Sequence, residues 1–215
     1  MARPASSGGK SPVSWTLAAL TQSALITAAY LALTLATSLI SFSVIQLRLA
    51  EALTALAALF PSAIPGLFAG CLLANLLNPS PLGPIDVLAG SATTLAAAVL
   101  TWYLARPWRR HLAEQVAGGK SGKEDKGVRL AAIRILPLLP PLILNALVVG
   151  SYLPFLVAGR QVTFLMVAGS VASILVSQAL VVLGLGLPLA MALAKTPWAQ
   201  RVYLAEQEKE RRWHS

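Results

Sequence analysis

The sequence predicts an all-α integral membrane protein of six transmembrane helices with both termini in the cytoplasm. Three observations carry that expectation: the composition, the spacing of the apolar runs, and the positions of the basic residues. Of 215 residues, 56% are hydrophobic and 12% are charged, about half the charged share of an ordinary soluble domain. Mean hydropathy is +0.70. So few polar groups could not cover this much Leu, Ala and Val in water. Six apolar runs of about 20 residues would use about 120 residues and leave short loops and tails.

In chain order, residues 1–14 form an N-terminal cytoplasmic tail carrying only Arg3 and Lys10 as basic residues. The apolar run that follows is too long for a signal-peptide core, so a retained first span is expected from Trp15 to Ile40. The second span is expected from Val44 to Phe60 and the third from Ile64 to Leu77. Read as one α-helix, Leu49–Leu77 would be about 44 Å long, against a hydrocarbon core of about 30 Å. Pro61 and Pro65 interrupt it within PSAIPG, so a hairpin with a short third limb is expected. The fourth span is read from Ile85 to Ala105, the fifth from Leu130 to Ala158, and the sixth from Val162 to Ala194. Together, residues 15–195 make one six-helix membrane domain. It contains a flexible basic cytoplasmic loop at 106–129 and is followed by a charged tail, 196–215, ending in a short fraying helix.

Orientation follows from the cations. The net charge is +9, from 17 Lys and Arg against 8 Asp and Glu. Arg3 and Lys10 lie in the head. Arg106, Arg109, Arg110, Lys120, Lys123, Lys126, Arg129 and Arg134 lie between the fourth and fifth spans, and Lys195, Arg201, Lys209, Arg211 and Arg212 lie in the tail. An even number of spans puts these 15 of the 17 basic residues on one face, as the positive-inside rule requires. A five-span chain with an external N-terminus would misplace only Arg3 and Lys10. The clustering between apolar runs argues for membrane orientation rather than nucleic-acid binding. Trp102, Trp108 and Trp198 lie near the basic ends, where interfacial anchors belong.

The chain is poor in catalytic groups. His111 and His214 lie in basic segments far from any carboxylate cluster, and no His/Cys spacing suggests a metal. GGKS at Gly118–Ser121 resembles the end of a phosphate-binding loop, but Glu114 stands where that loop needs glycine. No catalytic residue, metal, cofactor or ATP site of its own is therefore expected. Cys71, the single cysteine, reads as a small core residue.

Arg48 and Glu51 lie three residues apart, on one face of a helix. Two charges inside a span are costly and mark a cavity or a functional site. The other polar candidates are Gln46, Asn75, Asp86, Asn145, Tyr152 and Gln178. In a six-span layout Gln46, Arg48, Glu51, Asn75, Asp86 and Tyr152 fall toward the outer half of the membrane. Asn145 falls near the middle, and Gln178 near or just outside mid-depth. Polar groups from several helices converging there suggest an outward-opening pocket for a polar small molecule. Taken singly, Asn75 and Asn145 could equally serve interhelical hydrogen bonds, worth about 0.6–2 kcal/mol each. Pro137, Pro140 and Pro141, then Gly184, Gly186 and Pro188, should interrupt backbone hydrogen bonding in the fifth and sixth spans. Ala24, Ala28 and Ala32 form a stripe of small residues on the first span, a surface another helix can approach closely.

At IQLRLAEALTALAALFPSAIPGLFAGCLLANLL the chain resembles the QueT family of queuosine-precursor transporters. These are substrate-binding (S) components of energy-coupling-factor (ECF) importers. The family pattern I-Q-(F/L)-R-x-(S/A)-E-A-L-T, then A-I-P-G-L-F-x-G-C-L-x-A-N, is matched almost throughout. IDVLAGSATTLAA, LPPLILNALVVG and GLGLPL extend the likeness over most of Ala24–Leu189. One departure is Ser177-Gln178-Ala179-Leu180, where relatives tend to carry a glutamate. The resemblance implies a six-helix S-component bundle, multi-pass in the cell membrane. It would capture a 7-deazaguanine such as preQ1 or preQ0 from outside, and its partners would be a transmembrane coupling subunit and two cytosolic ATPases. Ala24, Ala28 and Ala32 would grip the coupling subunit.

A guanine-type edge presents two N–H donors beside a carbonyl, and one carboxylate can accept both donors. Glu51 would take the donor pair, Arg48 would orient it or bind the carbonyl, and Asn145 or Asn75 would complete the edge. Tyr152 or Phe42 would stack on the ring, worth about 1–3 kcal/mol by analogy with other bases. Two other readings remain open. One is an S-component for another heterocyclic vitamin, which changes only the pocket. The other is a self-sufficient secondary transporter or channel, which needs a coupling-ion site.

Overall fold

The computed structural model describes residues 12–37, 48–78, 81–118, 126–158 and 161–214, and their regular structure is entirely helical. The helices are α1 (Pro12–Ala36), α2 (Leu49–Ala58), α3 (Ala63–Leu76), α4 (Asp86–Leu104), α5 (Arg106–Val116), α6 (Gly127–Ala158), α7 (Phe164–Leu193) and α8 (Pro197–His214). Four of them, α1 from Leu17, α4, α6 and α7, are long and apolar enough to cross a membrane.

The second and third expected spans form two short limbs. α2 is a 3-10 helix of 10 residues, about 20 Å long at about 2.0 Å per residue. α3 has 14 residues, about 21 Å at 1.5 Å per residue. Neither matches a core of about 30 Å. The expected second span began at Val44, whereas α2 begins at Leu49, and residues 38–47 lie outside the described part of the chain. α2, LAEALTALAA, is half alanine, and every residue from Ala50 to Phe60 is buried. Small side chains let α1, α4 and α7 approach it from all sides, so α2 forms the axis of the bundle.

α1 packs on α3 through Ser23, Ile26, Thr27 and Tyr30, against Gly66 and Gly70 at GxxxG spacing. A Cβ on Gly70 would lie 2.7 Å from Tyr30 Cβ, and one on Gly66 would lie 2.8 Å from the Ser23 carbonyl. Thr27 Oγ1 donates to the Gly66 carbonyl at 3.0 Å, and Ser23 Oγ donates to the Ser62 carbonyl at 2.6 Å. Gly70→Leu should therefore overpack the α1–α3 seam and destabilise the fold by about 1–3 kcal/mol or more. A lowered melting temperature in detergent would register it. Gly169→Leu, where nothing stands within 4 Å of the new Cβ, should leave melting unchanged.

The backbone interruptions fall close to where the prolines demand them. A 3-10 turn at Leu136–Leu138 contains Pro137 and immediately precedes Pro140 and Pro141. In α7, Pro188 lacks the N–H that would reach the Gly184 carbonyl, and a π turn occupies Val182–Gly186. Two more π turns lie at Asp86–Gly90 and Asn145–Val149. Gly186 lets α7 close on α2, since a Cβ there would stand 2.7 Å from the Ala52 carbonyl.

The basic end differs from expectation. The segment 106–129, read as a flexible loop, contains α5 over Arg106–Val116, and the tail, read as a short fraying helix, is the 18-residue α8. Both helices dock through apolar residues buried in the core, Trp108 and Ala113 on α5 and Ala199 and Tyr203 on α8, and cross-helix charge adds to that seam. Arg106, Arg109 and Arg110 share one face of α5, while Glu206 and Glu210 are one turn apart on the facing side of α8. Arg110 hydrogen-bonds Glu210 at 3.0 Å. That bond, with Arg106 beside it, holds the Glu210 carboxyl below its ordinary 4.5. A carboxylate held low stabilises the fold above its unfolded value and loses that contribution as pH falls through its folded value. Docking of α8 should thus persist from neutral pH to about 4.5 and loosen below it, a modest, salt-sensitive effect for exposed ion pairs. Amide protection of α8, corrected for intrinsic exchange, would report it. Of the three tryptophans read as interfacial anchors, Trp198 is exposed. Trp108 is buried in the core instead, and Trp102 lies under the Arg109 guanidinium.

Candidate functional site

Six of the eight sequence-predicted polar residues, Arg48, Glu51, Asn75, Asp86, Asn145 and Tyr152, gather toward the end of α2 opposite the basic helices. Glu51 lies in the first turn of α2 and is 2% exposed. Tyr30 OH of α1 donates to Glu51 Oε1 at 2.5 Å, and Asn145 Nδ2 of α6 donates to Oε2 at 3.4 Å. Arg48 is buried just before α2, close enough to the Glu51 and Asp86 carboxylates to feel their charge.

A second group adjoins the first. Asp86 opens α4, is buried, and accepts from Tyr152 OH of α6 at 2.8 Å. Asn75 Nδ2 of α3 donates to the Asp86 carbonyl at 3.4 Å, while the buried Asn75 Oδ1 has no hydrogen-bond partner. Gly90 permits this convergence. A Cβ there would stand 3.1 Å from Asn75 Nδ2 and 3.3 Å from Tyr152 OH. Cys71 lies between the groups, buried as expected. It is 3.7 Å from Asn75 Nδ2 and accepts from Thr94 Oγ1 at 3.4 Å.

Of the three π turns among the described residues, two begin at candidate residues, Asp86 and Asn145, and these turns pack against each other. A π turn widens the helix and re-aims the side chains it carries, which is why such turns recur at functional sites. Two carboxylates, a guanidinium and two amides thus come from α2, α3, α4, α6 and the residue preceding α2. Such a set offers acceptors for N–H groups and donors for a carbonyl.

The remaining candidates divide. Gln178 is buried on α7, and its Oε1 has no hydrogen-bond partner. Gln46 and Phe42 lie outside the described residues. Ala24, Ala28 and Ala32 are all exposed, on the side of α1 turned away from its buried Ile26, Tyr30 and Thr34. Sequence reading passed over Tyr30, although Ile26, Tyr30 and Thr34 repeat at four-residue steps and put a phenol on the packed face. An apolar groove of about 510 Å³ lies at the other end, among Gln22, Ile26, Leu53, Phe60, Leu193 and Trp198. Its lining offers little hydrogen bonding, so it is a poor match for a polar heterocycle.

Comparison with known families gives one result that covers most of the chain: the family model described as QueT transporter matches residues 20–195. No curated protein and no solved structure gives a significant match.

Proposed function

The chain belongs to the QueT transporter family, and from that premise we propose that it is the substrate-capture (S) component of an ATP-driven ECF importer. Family membership gives a transport role and a membrane setting. The ligand we propose is a 7-deazaguanine of the preQ1 or preQ0 type, taken from outside the cell. The α2–α3 hairpin would supply the second and third of six passes, with both termini in the cytoplasm and α5 and α8 at the cytosolic surface.

The observation that carries this reading is the buried polar cluster around Glu51 and Asp86, built by several helices within an apolar bundle. Buried ionisable groups inside a membrane domain are kept for a ligand or a pathway, since they weaken the fold otherwise. Glu51 would accept the paired N–H donors of the purine-like edge while Arg48 serves the carbonyl. The unsatisfied Asn75 Oδ1 and Gln178 Oε1 offer further acceptors. Tyr152 would lie against the ring. The exposed face of α1, with Ala24, Ala28 and Ala32, would dock on the coupling subunit, which two cytosolic ATPases would drive.

Ligand-induced stabilisation tests the proposal. A ligand that binds only the folded chain, present at 100 times its dissociation constant, stabilises by about 2.7 kcal/mol. The purified chain should melt higher with preQ1 or preQ0 than with thiamin or riboflavin. A shift with a vitamin and none with any deazapurine would overturn the ligand and move the chain to another heterocycle.

A further inference from the structure

The side chain that ties the basic end together is Arg109, 2% exposed on α5. Its Nη1 donates to the Trp102 carbonyl at 2.8 Å and to the Ala58 carbonyl at 2.9 Å. Its Nε and Nη2 form a fork on Glu206 of α8, at 2.6 and 3.0 Å, and its guanidinium stacks 3.5 Å above the Trp102 ring. One side chain thus joins α4, α5, α8 and the last residue of α2. Every planar donor direction of the guanidinium that these bonds use is geometrically fixed, which a lysine ammonium could not reproduce.

Ala58 is the inner end of the same buried rod whose first turn carries Glu51. Between the two ends α2 runs as a 3-10 helix of 10 residues, whereas such helices rarely exceed 3–4 residues and long ones mark hinges or strain. Rewinding those residues to α would shorten the rod by about 5 Å, from about 2.0 to 1.5 Å per residue. With the Ala58 carbonyl held by Arg109, the winding of the rod sets where the end that bears Glu51 lies, and losing that anchor frees the rod to shift. The rod is packed on all sides, so a change at one end is transmitted rather than absorbed.

We infer that Arg109, held by Glu206, is a positioning residue for Glu51: the α5–α8 node on the basic face and the polar cluster at the far end of α2 are coupled through α2. The inference rests on the transport reading above for the meaning of that cluster, but not for the coupling itself. If coupling exists it is reciprocal, so a ligand on Glu51 should also protect the Glu206 end.

Hydrogen exchange in the full-length purified chain tests it, comparing wild type, Glu206→Gln and Arg109→Lys, with Ala205→Gln as a surface control. Coupling predicts that amides of Glu51–Leu53 exchange about tenfold faster in Glu206→Gln, a mid-range coupling effect. A purely local role would raise exchange in α5 and α8 and leave the Glu51 turn unmoved, and that result overturns the inference. Arg109→Lys keeps the charge and loses the fork, so it should show the same change if Glu206→Gln fails to fold. preQ1 affinity should fall in parallel, by about tenfold. Should the wild type bind no deazapurine, the ligand assignment fails, while exchange at the Glu51 turn still decides the coupling.

Discussion

Glutamine at position 51 is expected to weaken preQ1 binding by roughly 10²–10³-fold. The change is nearly isosteric, and a glutamine oxygen can still accept the Tyr30 hydroxyl that now bonds Glu51 Oε1 at 2.5 Å. The fold should therefore survive, with a melting temperature close to wild type. Recognition should not survive. A carboxylate accepts two N–H donors side by side, whereas an amide turns one of its two positions into a donor facing a donor. Removing one partner of a buried, hydrogen-bonded charged contact costs about 2–5 kcal/mol, and about 1.4 kcal/mol is a factor of ten. Isothermal titration of the two purified proteins measures the difference, and equal affinities would exclude Glu51 as the acceptor.

The second large effect concerns assembly. Ala28→Trp should abolish co-purification of the coupling subunit and bring preQ1 uptake to background. Ala24, Ala28 and Ala32 are exposed on α1 while the opposite side packs on Gly66 and Gly70. Small residues allow close helix approach, and an indole at the centre of the stripe holds the helices apart. A loss of about 2–3 kcal/mol, typical of overpacking, is already a drop of about 30- to 150-fold. preQ1 binding by the isolated chain should be unchanged, because Tyr30 and Glu51 lie across the helix. Loss of ligand binding together with assembly would mean that the substitution unfolds α1.

Much of this architecture was legible because membrane helices announce themselves. Apolar runs gave the long helices, and turn chemistry at Pro61 and Pro65 separated α2 from α3. The short, tightly wound α2 was not legible. LAEALTALAA has ordinary helical composition, and nothing in it distinguishes 3-10 from α winding. Candidate residues could be named because polar groups are scarce in such a chain, yet their partners could not. The spacing of Arg48 and Glu51 is a local pattern, whereas the bonds of Glu51 to Tyr30 and Asn145 join residues distant in sequence. The docked α8 escaped for the same reason. Glu206 and Glu210 find Arg109, Arg106 and Arg110 about a hundred residues away, a separation no local pattern encodes.

A structure of the chain with preQ1 bound tests the central claim most directly. The ring edge should lie within hydrogen-bond distance of the Glu51 carboxylate, with Asp86 and Tyr152 bordering the ligand. Density for preQ1 in the apolar groove beside Gln22 and Trp198, with the Glu51 cluster unchanged, would contradict it.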